Sequence, residues 1–109
     1  MQVSEIRWSA IESNVAKKAL EVARRREIDT LIKDVRSKAG ELEAADDLWN
    51  LHDFLSAQRH YIDGKYDDDE TGMVFVLARL IKEGWLAIEE LEGLHETRLA
   101  KITALARFI

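Results

Sequence analysis

The sequence contains no cysteine and no proline, and only five of its 109 residues are glycine. The absence of cysteine excludes disulfides and thiolate metal ligands. A chain without proline and with little glycine favours long helices over a turn-rich β architecture. Basic residues are also in the minority, since 16 Lys and Arg stand against 21 Asp and Glu, for a net charge of −5. We therefore expect neither nucleic acid nor an anionic membrane surface as a partner.

Long apolar runs are missing as well. The longest, Met73–Ala78, stops at Arg79 and is far too short to cross a bilayer. The N-terminus has no apolar signal core. These absences predict no integral membrane association and a cytoplasmic location. Hydrophobic residues make up 47% of the chain, which indicates a folded domain, 1–109, rather than disorder. Oligomerisation is one remedy for the limited apolar surface that so small a domain can bury.

The first predicted helix opens with a capping box at Ser9–Glu12 and runs to about Ala39, with Gly40 as its stop. The basic run Arg24–Arg26 within it is surrounded by acidic residues, which indicates a solvated helix face. About thirty residues form a rod of roughly 45 Å. A compact domain of this length has a radius of gyration near 13 Å. The rod must overhang its own domain, and its apolar stripe, which includes Leu31, then needs a partner. We therefore expect a homodimer.

The second helix is predicted to start at Asp46 or Asp47 and to end near Ile62, where Asp63-Gly64 acts as a breaker. Three more helices are predicted after the loop Lys65–Glu70: Thr71–Glu83, ended by Gly84; Trp85–Glu92, ended by Gly93; and Leu94–Phe108. The predicted fold class is therefore all-α. Met73–Val76 is also strand-like, but the length of the pattern favours a helix. Phe75 falls away from the apolar side of that helix, either covered by a neighbouring element or exposed.

The stretch Asp46–Asp69 is the most distinctive part of the chain. On a helix its apolar residues gather on one side: Leu48, Leu51, Phe54, Leu55 and Ile62. A tryptophan and ionisable residues gather on roughly the opposite third: Trp49, His52, Asp53, Ser56, Arg59, His60 and Asp63. The leucines are candidates for packing within the stem or across a dimer. Tryptophan and arginine are enriched in interface hot spots, so the second side predicts either a binding surface or further packing, and the pattern alone leaves these two about even.

We expect no enzyme, no cofactor and no metal. His52 and Asp53 are adjacent, and neighbours on a helix are not expected to face each other in hydrogen-bonding geometry. There is no nucleophile elbow and no glycine-rich phosphate loop. His52 and His60 lie about 12 Å apart along a helix, too far to share an ion. The run Asp67–Gly72 lacks the closing glutamate of a calcium loop, and an acidic loop that caps a helix is the favoured interpretation.

The segment LWNLHDFLSAQRHYIDGKYDD, residues 48–68, closely resembles the signature of the cyanobacterial fluorescence recovery proteins. The resemblance is strong over Asp46–Asp68, fair over Val74–Glu90 and Lys101–Phe108, and weak before Ala45. It implies a long stem of two helices, about residues 9–62, and a small helical head, about residues 68–109. It also implies that two stems associate into a dimer. The candidates for packing within the stem or across that dimer are Leu31, Leu48, Leu51 and Leu55.

The resemblance further implies a partner and a role. In that family the Trp, His, Asp and Arg of the motif are implicated in activity, and they correspond to Trp49, His52, Asp53 and Arg59. Phe75 and Lys101 match head positions that contact the orange carotenoid protein. The implied function is to bind the photoactivated carotenoid protein, to speed its red-to-orange reversion, and to detach it from the phycobilisome. Our own hypothesis is that it docks on the C-terminal domain of the carotenoid protein. A helical dimerisation or adaptor module for another partner is the alternative. A peripheral position at the cytoplasmic side of the thylakoid membrane stays open.

Overall fold

The computed structural model describes residues 7–66 and 69–109. Four helices make up most of these residues: α1 (Ala10–Gly40), α2 (Ala45–Lys65), α3 (Glu70–Lys82) and α4 (Glu96–Phe108). Within the described ranges the only β pairing is an isolated bridge between Glu92 and Leu94. The all-α prediction is confirmed, and the strand alternative for the third segment is wrong. Among the described helices, none combines the length and the apolar character needed to cross a bilayer.

The longest helix, α1, is the element on which the other parts pack. It begins with the predicted capping box, in which the Ser9 hydroxyl accepts from the Glu12 N–H at 3.0 Å and Glu12 accepts from the Ser9 N–H at 3.3 Å. It ends at Gly40, within a residue of the prediction. Its N-terminal half packs against the head, and its C-terminal half against α2. The molecule measures 59 × 25 × 24 Å with a radius of gyration of 17.1 Å, well above the ~13 Å of a compact domain.

The core lies between α1 and the head. It consists of Ala16, Ala19, Leu20 and Ala23 from α1; Met73, Leu77, Ala78 and Leu80 from α3; Leu86, Leu91 and Leu94 from the connecting segment; and Ile102 from α4. α4 packs on α3 and on the connecting segment rather than mainly on α1. The small alanines of α1 let the head approach this helix closely, so the head is a layered cap on one end of α1.

The second helix continues past its predicted end. Gly64, the expected breaker, is helical, and α2 ends only at Lys65. Glycine costs about 1 kcal/mol in a helix interior, and contacts of the next residue outweigh that cost. The Lys65 ammonium lies 2.7 Å from the Glu27 carboxylate and 2.7 Å from the Glu83 carboxylate. These contacts come from distant parts of the chain, and they require Lys65 to stay on the side of α2 that faces α1.

Lys65 is the buried centre of a polar cluster, and its side chain is only 1% exposed. The Tyr66 hydroxyl donates to Glu27 at 2.7 Å, and the Tyr61 hydroxyl donates to Glu83. Burial by itself would lower the pKa of Lys65, but its hydrogen bonds with Glu27 and Glu83 raise that pKa above the ordinary value. Lys65 therefore stays charged, and it ties α1, α2 and the end of α3 together. We call these five residues the junction cluster.

The third helix ends as predicted. Gly84 adopts a φ of 87°, a conformation that favours glycine. The Trp85 N–H donates to the Leu80 carbonyl oxygen at 2.9 Å, and the Gly84 N–H donates to that of Ile81 at 3.1 Å. These two bonds are the Schellman arrangement that closes many helices.

The predicted helix Trp85–Glu92 is wrong, because only a 3-10 turn, Ile88–Leu91, forms there. The Trp85 carbonyl oxygen accepts from Nη1 of Arg26 at 2.9 Å instead of from an N–H four residues later. The same guanidinium holds Glu90 through two bonds of 2.7 Å. Arg26 therefore fastens this segment to α1, whereas the sequence predicted a solvated basic face. The last helix begins at Glu96, two residues later than predicted.

A second buried ion pair fastens α4 to the start of α1. Nε of Arg98 lies 2.9 Å from Glu12, and the ring of Trp8 covers the guanidinium at 4.0 Å. Hydrogen bonds from Arg98, and from the backbone N–H groups of His95 and Ser9, lower the pKa of Glu12 to about 2 from 4.5. The Glu12 carboxylate is therefore stabilised in its charged form by folding.

We predict that Lys65→Met lowers thermal stability strongly, because it leaves Glu27 and Glu83 without their cation. Breaking a buried pair from one side costs about 3–5 kcal/mol, which corresponds to a fall in melting temperature of more than about 10 °C for a chain of this size. Circular dichroism at 222 nm measures it. Lys82→Met, at an exposed position, is the matched control, and equal melting temperatures for the two variants would contradict the prediction.

We predict that Glu12 makes stability depend on pH between about 4.5 and 2. The folded-state pKa lies below the unfolded value, so the contribution is complete above the unfolded pKa and is lost as the pH falls towards the folded one. Glu12→Gln should cost up to about 3 kcal/mol at pH 6 and progressively less towards pH 2.5. Urea unfolding at several pH values tests this. Exposed Glu41→Gln is the control, and a Glu12→Gln effect that does not change with pH would refute the prediction.

Candidate protein-binding surface

The outer face of α2 carries the four motif residues. The side of α2 that faces α1 holds Leu51, Phe54, Gln58, Ile62 and Lys65, all partly or fully buried. These positions recur every three or four residues, which leaves the opposite side of the helix in solvent. Trp49 lies there with 60% of its surface exposed, and His52, Asp53 and Arg59 are exposed beside it. The structure thus places all four on one accessible face.

The polar residues of this face contact each other only weakly. Nδ1 of His52 lies 3.3 Å from Oδ1 of Asp53, so the prediction that these neighbours do not meet is wrong. Both side chains are exposed and free to lean along the helix surface. Nε of Arg59 lies 3.6 Å from Asp63, one turn later. Exposed pairs of this kind contribute only about 0.3–0.5 kcal/mol. A partner can therefore displace either contact at little cost.

The arrangement offers little for catalysis or metal binding. The His52 and Asp53 side chains lie on an open helix surface, 72% and 79% exposed. Within residues 7–66 and 69–109, no three His, Asp or Glu side chains are placed to hold a metal ion. In the acidic loop, Asp69 caps α3 by accepting from the Thr71 N–H at 3.2 Å, as the capping interpretation predicts. Asp67 and Asp68 lie outside the described residues.

An apolar edge runs beside the motif face. Leu48 and Leu55 are seven residues apart, so they lie on one line of α2, and they are 47% and 38% exposed. Leu31 on α1 and Leu51 on α2 are half-buried. Of all the apolar side chains in residues 28–66, only Ile62 is buried. The hairpin formed by α1 and α2 therefore has no closed core of its own. We call Leu31, Leu48, Leu51 and Leu55 the leucine edge.

The two predicted head residues lie on other helices. Phe75 on α3 is 55% exposed, which decides between the two alternatives for this residue in favour of exposure. It shares its side of α3 with Arg79 and Lys82. Lys101 is exposed on α4. The structure therefore gathers four of the six predicted binding residues on α2 and leaves Phe75 and Lys101 on the head.

Sequence reasoning did not single out the junction cluster. A signal for it was present, because Lys65 continues the spacing of Phe54, Gln58 and Ile62 on the side of α2 that faces α1. Likewise, Glu27 continues the spacing of the buried α1 residues. A charge at such a position predicts a buried pair, although the sequence does not say which residue is the partner.

Comparison with known proteins identifies the family. The family model described as photoprotection regulator fluorescence recovery protein matches residues 8–106. The chain belongs to the fluorescence recovery protein family. A fluorescence recovery protein from Synechocystis sp. is 47% identical over 107 residues, which is 98% of each sequence. The resemblance seen in residues 48–68 is therefore confirmed, and it extends over nearly the whole chain.

Solved structures of fluorescence recovery proteins have the same fold. The protein from Fremyella diplosiphon superposes with a TM-score of 0.88 at 50% identity, and that from Synechocystis sp. PCC 6803 with 0.89 at 48%. Each comparison covers 93% of this chain and 99% of the other. The general role of the family is the regulation of photoprotection, which is a regulatory rather than a catalytic function.

Proposed function

We propose that this protein binds the photoactivated orange carotenoid protein, accelerates its red-to-orange reversion and promotes its detachment from the phycobilisome. Quenching then ends and antenna fluorescence recovers. The observation that supports this proposal is the exposed Trp49 among His52, Asp53 and Arg59, in a member of a family of photoprotection regulators. A tryptophan kept in water adds little to the protein's own stability, and it is the residue type most typical of interface hot spots.

The mechanism needs no covalent chemistry. A regulator accelerates the return of its partner to the closed state when it binds the conformations on the way to that state better than it binds the open state. In this proposal the motif face docks on the C-terminal domain of the carotenoid protein, and Phe75 and Lys101 on the head meet the returning N-terminal domain. The regulator acts from the cytoplasmic side of the thylakoid membrane, and no cofactor takes part.

The proposal includes a homodimer formed through the leucine edge. Residues 28–66 hold a long apolar surface with almost no buried core, and burial of apolar area contributes about 25 cal/mol per Å². A second hairpin covers this surface without displacing the head, which packs at the other end of α1. In this proposal the chain is one domain, with a stem of about residues 9–62 that pairs and a head of about residues 68–109 that stays outside the pairing.

We predict that Leu48→Asp together with Leu55→Asp converts the dimer to a monomer, because two carboxylates cannot be buried on facing helices without partners. Sedimentation velocity at micromolar concentration measures the mass. Ile11→Asp changes an equally apolar, 69% exposed residue outside the leucine edge, and it should leave the dimer intact. A monomeric wild-type protein, or a double variant that remains dimeric, would show that this edge does not pair.

We predict that Trp49→Ala and Asp53→Ala abolish most of the acceleration of red-to-orange reversion while the fold is kept. The carotenoid protein is photoactivated, the regulator is added in the dark, and absorbance follows the return. Truncation of a central hot spot typically costs 2 kcal/mol or more, so we expect activity to fall by about 30-fold. Glu41→Ala, an exposed carboxylate at the end of α1, is the matched control, and circular dichroism checks folding.

The same assay separates the alternative function. If the wild-type protein leaves reversion unchanged with the carotenoid protein of its own host, the proposal is wrong, and an adaptor for another partner takes its place. If the protein accelerates reversion but does not bind the isolated C-terminal domain, the docking order is wrong while the regulatory role stands.

A further inference from the structure

The outer layer of the head, formed by α3 and α4, differs in charge from the rest of the chain. Residues 71–82 and 97–109 contain no Asp or Glu, although the whole chain has a net charge of −5. These two segments hold five cations: Arg79, Lys82, Arg98, Lys101 and Arg107. The carboxylates of these two helices, Glu70 and Glu96, both lie in the first turn. The later turns of α3 and α4 are therefore a positive region on an acidic protein.

Three of the five cations have no carboxylate of their own. Arg98 is buried against Glu12, and Arg79 lies 3.6 Å from Glu83. Lys82, Lys101 and Arg107 are exposed, and no carboxylate within the described part of the chain lies within 4.0 Å of them. Unpaired cations of this kind attract an acidic surface and speed its approach.

An exposed aromatic side chain lies on α4 together with two of these cations, Lys101 and Arg107. Phe108 is 85% exposed, more than any other large apolar side chain in the described residues. It lies seven residues after Lys101, which places both on the same side of α4 about 10 Å apart. Ala104, between them, is small and exposed, so a partner can approach the helix closely there. Phe108 contributes almost nothing to this protein's own core.

We propose that Phe108 is an anchor of a docking surface on α4, with Lys101 and Arg107 beside it, and that it enters an apolar pocket rimmed by carboxylates on the carotenoid protein. This rests on the proposed function, which supplies the partner. It adds a contact residue and the chemistry of the opposing face. A basic face would repel the unpaired cations. A purely polar face would bind poorly, because its polar groups would lose their hydration against the phenyl ring without gaining hydrogen bonds.

The first test measures the affinity of Phe108→Ala for the photoactivated carotenoid protein. We expect binding to weaken by about tenfold or more. Ile11→Ala is the control, since it truncates a 69% exposed apolar residue on α1 and should leave affinity unchanged. Circular dichroism shows whether the Phe108 variant is folded. Equal affinities for Phe108→Ala and the wild type would overturn the proposal.

The second test separates local charge from total charge. Lys101 and Arg107 are replaced together by Gln, and a control protein carries Gln at Lys17 and Lys18, two exposed cations of α1. Both variants change the net charge equally. Only the first should slow association and flatten its dependence on ionic strength. Equal slowing in both would mean that overall charge, and not this surface, governs the approach.

Other occupants of the surface give different results. A change in sedimentation of Phe108→Ala would assign the surface to a second copy of this chain, and lost binding to anionic vesicles with unchanged protein affinity would assign it to a membrane. Either result overturns the proposal. If Trp49→Ala abolishes binding and Phe108→Ala does not, only this inference fails. If the wild-type protein does not bind the carotenoid protein at all, the proposed function fails and this inference with it.

Discussion

The contact of one buried ammonium with two carboxylates determines how the head sits on the hairpin. Lys65 comes from the end of α2, Glu27 from the middle of α1 and Glu83 from the end of α3. Charges removed from water cost several kcal/mol unless they are paired well. A displacement of the head by one helical turn would leave at least one of these charges unpaired. We interpret the junction cluster as a device for specifying position, and the apolar core then supplies the stability around it.

Local signals in the sequence predict the elements whose ends are controlled locally. The capping box at Ser9, the stop at Gly40 and the turn at Gly84 lie where the pattern indicates, because each depends on residues within four or five positions. The errors have a different origin. Gly64 stays helical because of Lys65, and Trp85–Glu92 is not a helix because of Arg26. Those contacts join residues 18 to 64 positions apart, and no local rule detects them.

The candidate surface was predictable in part. Helical periodicity puts Trp49, Asp53 and Arg59 on one side of α2, and the structure leaves that side in solvent. Periodicity does not distinguish a binding face from a packing face. Family resemblance supplied that interpretation, and exposure decided the state of Phe75. The His52–Asp53 contact escaped prediction because exposed side chains choose their rotamers by small energy differences that a sequence does not encode.

The continuity of α1 has a consequence for selectivity. One uninterrupted helix of 31 residues, α1, packs against the head at one end and against α2 at the other. A helix of that length is about 46 Å long and cannot shorten without breaking its hydrogen bonds. The outer face of α2 and the exposed surface of α3 and α4 are therefore held at a constant spacing. In the proposed function, a partner whose two domains lie at the matching spacing engages both surfaces at once, and one whose domains are too far apart engages only one. Geometry of this kind can tell two arrangements of the same partner apart even when the contacting residues are identical.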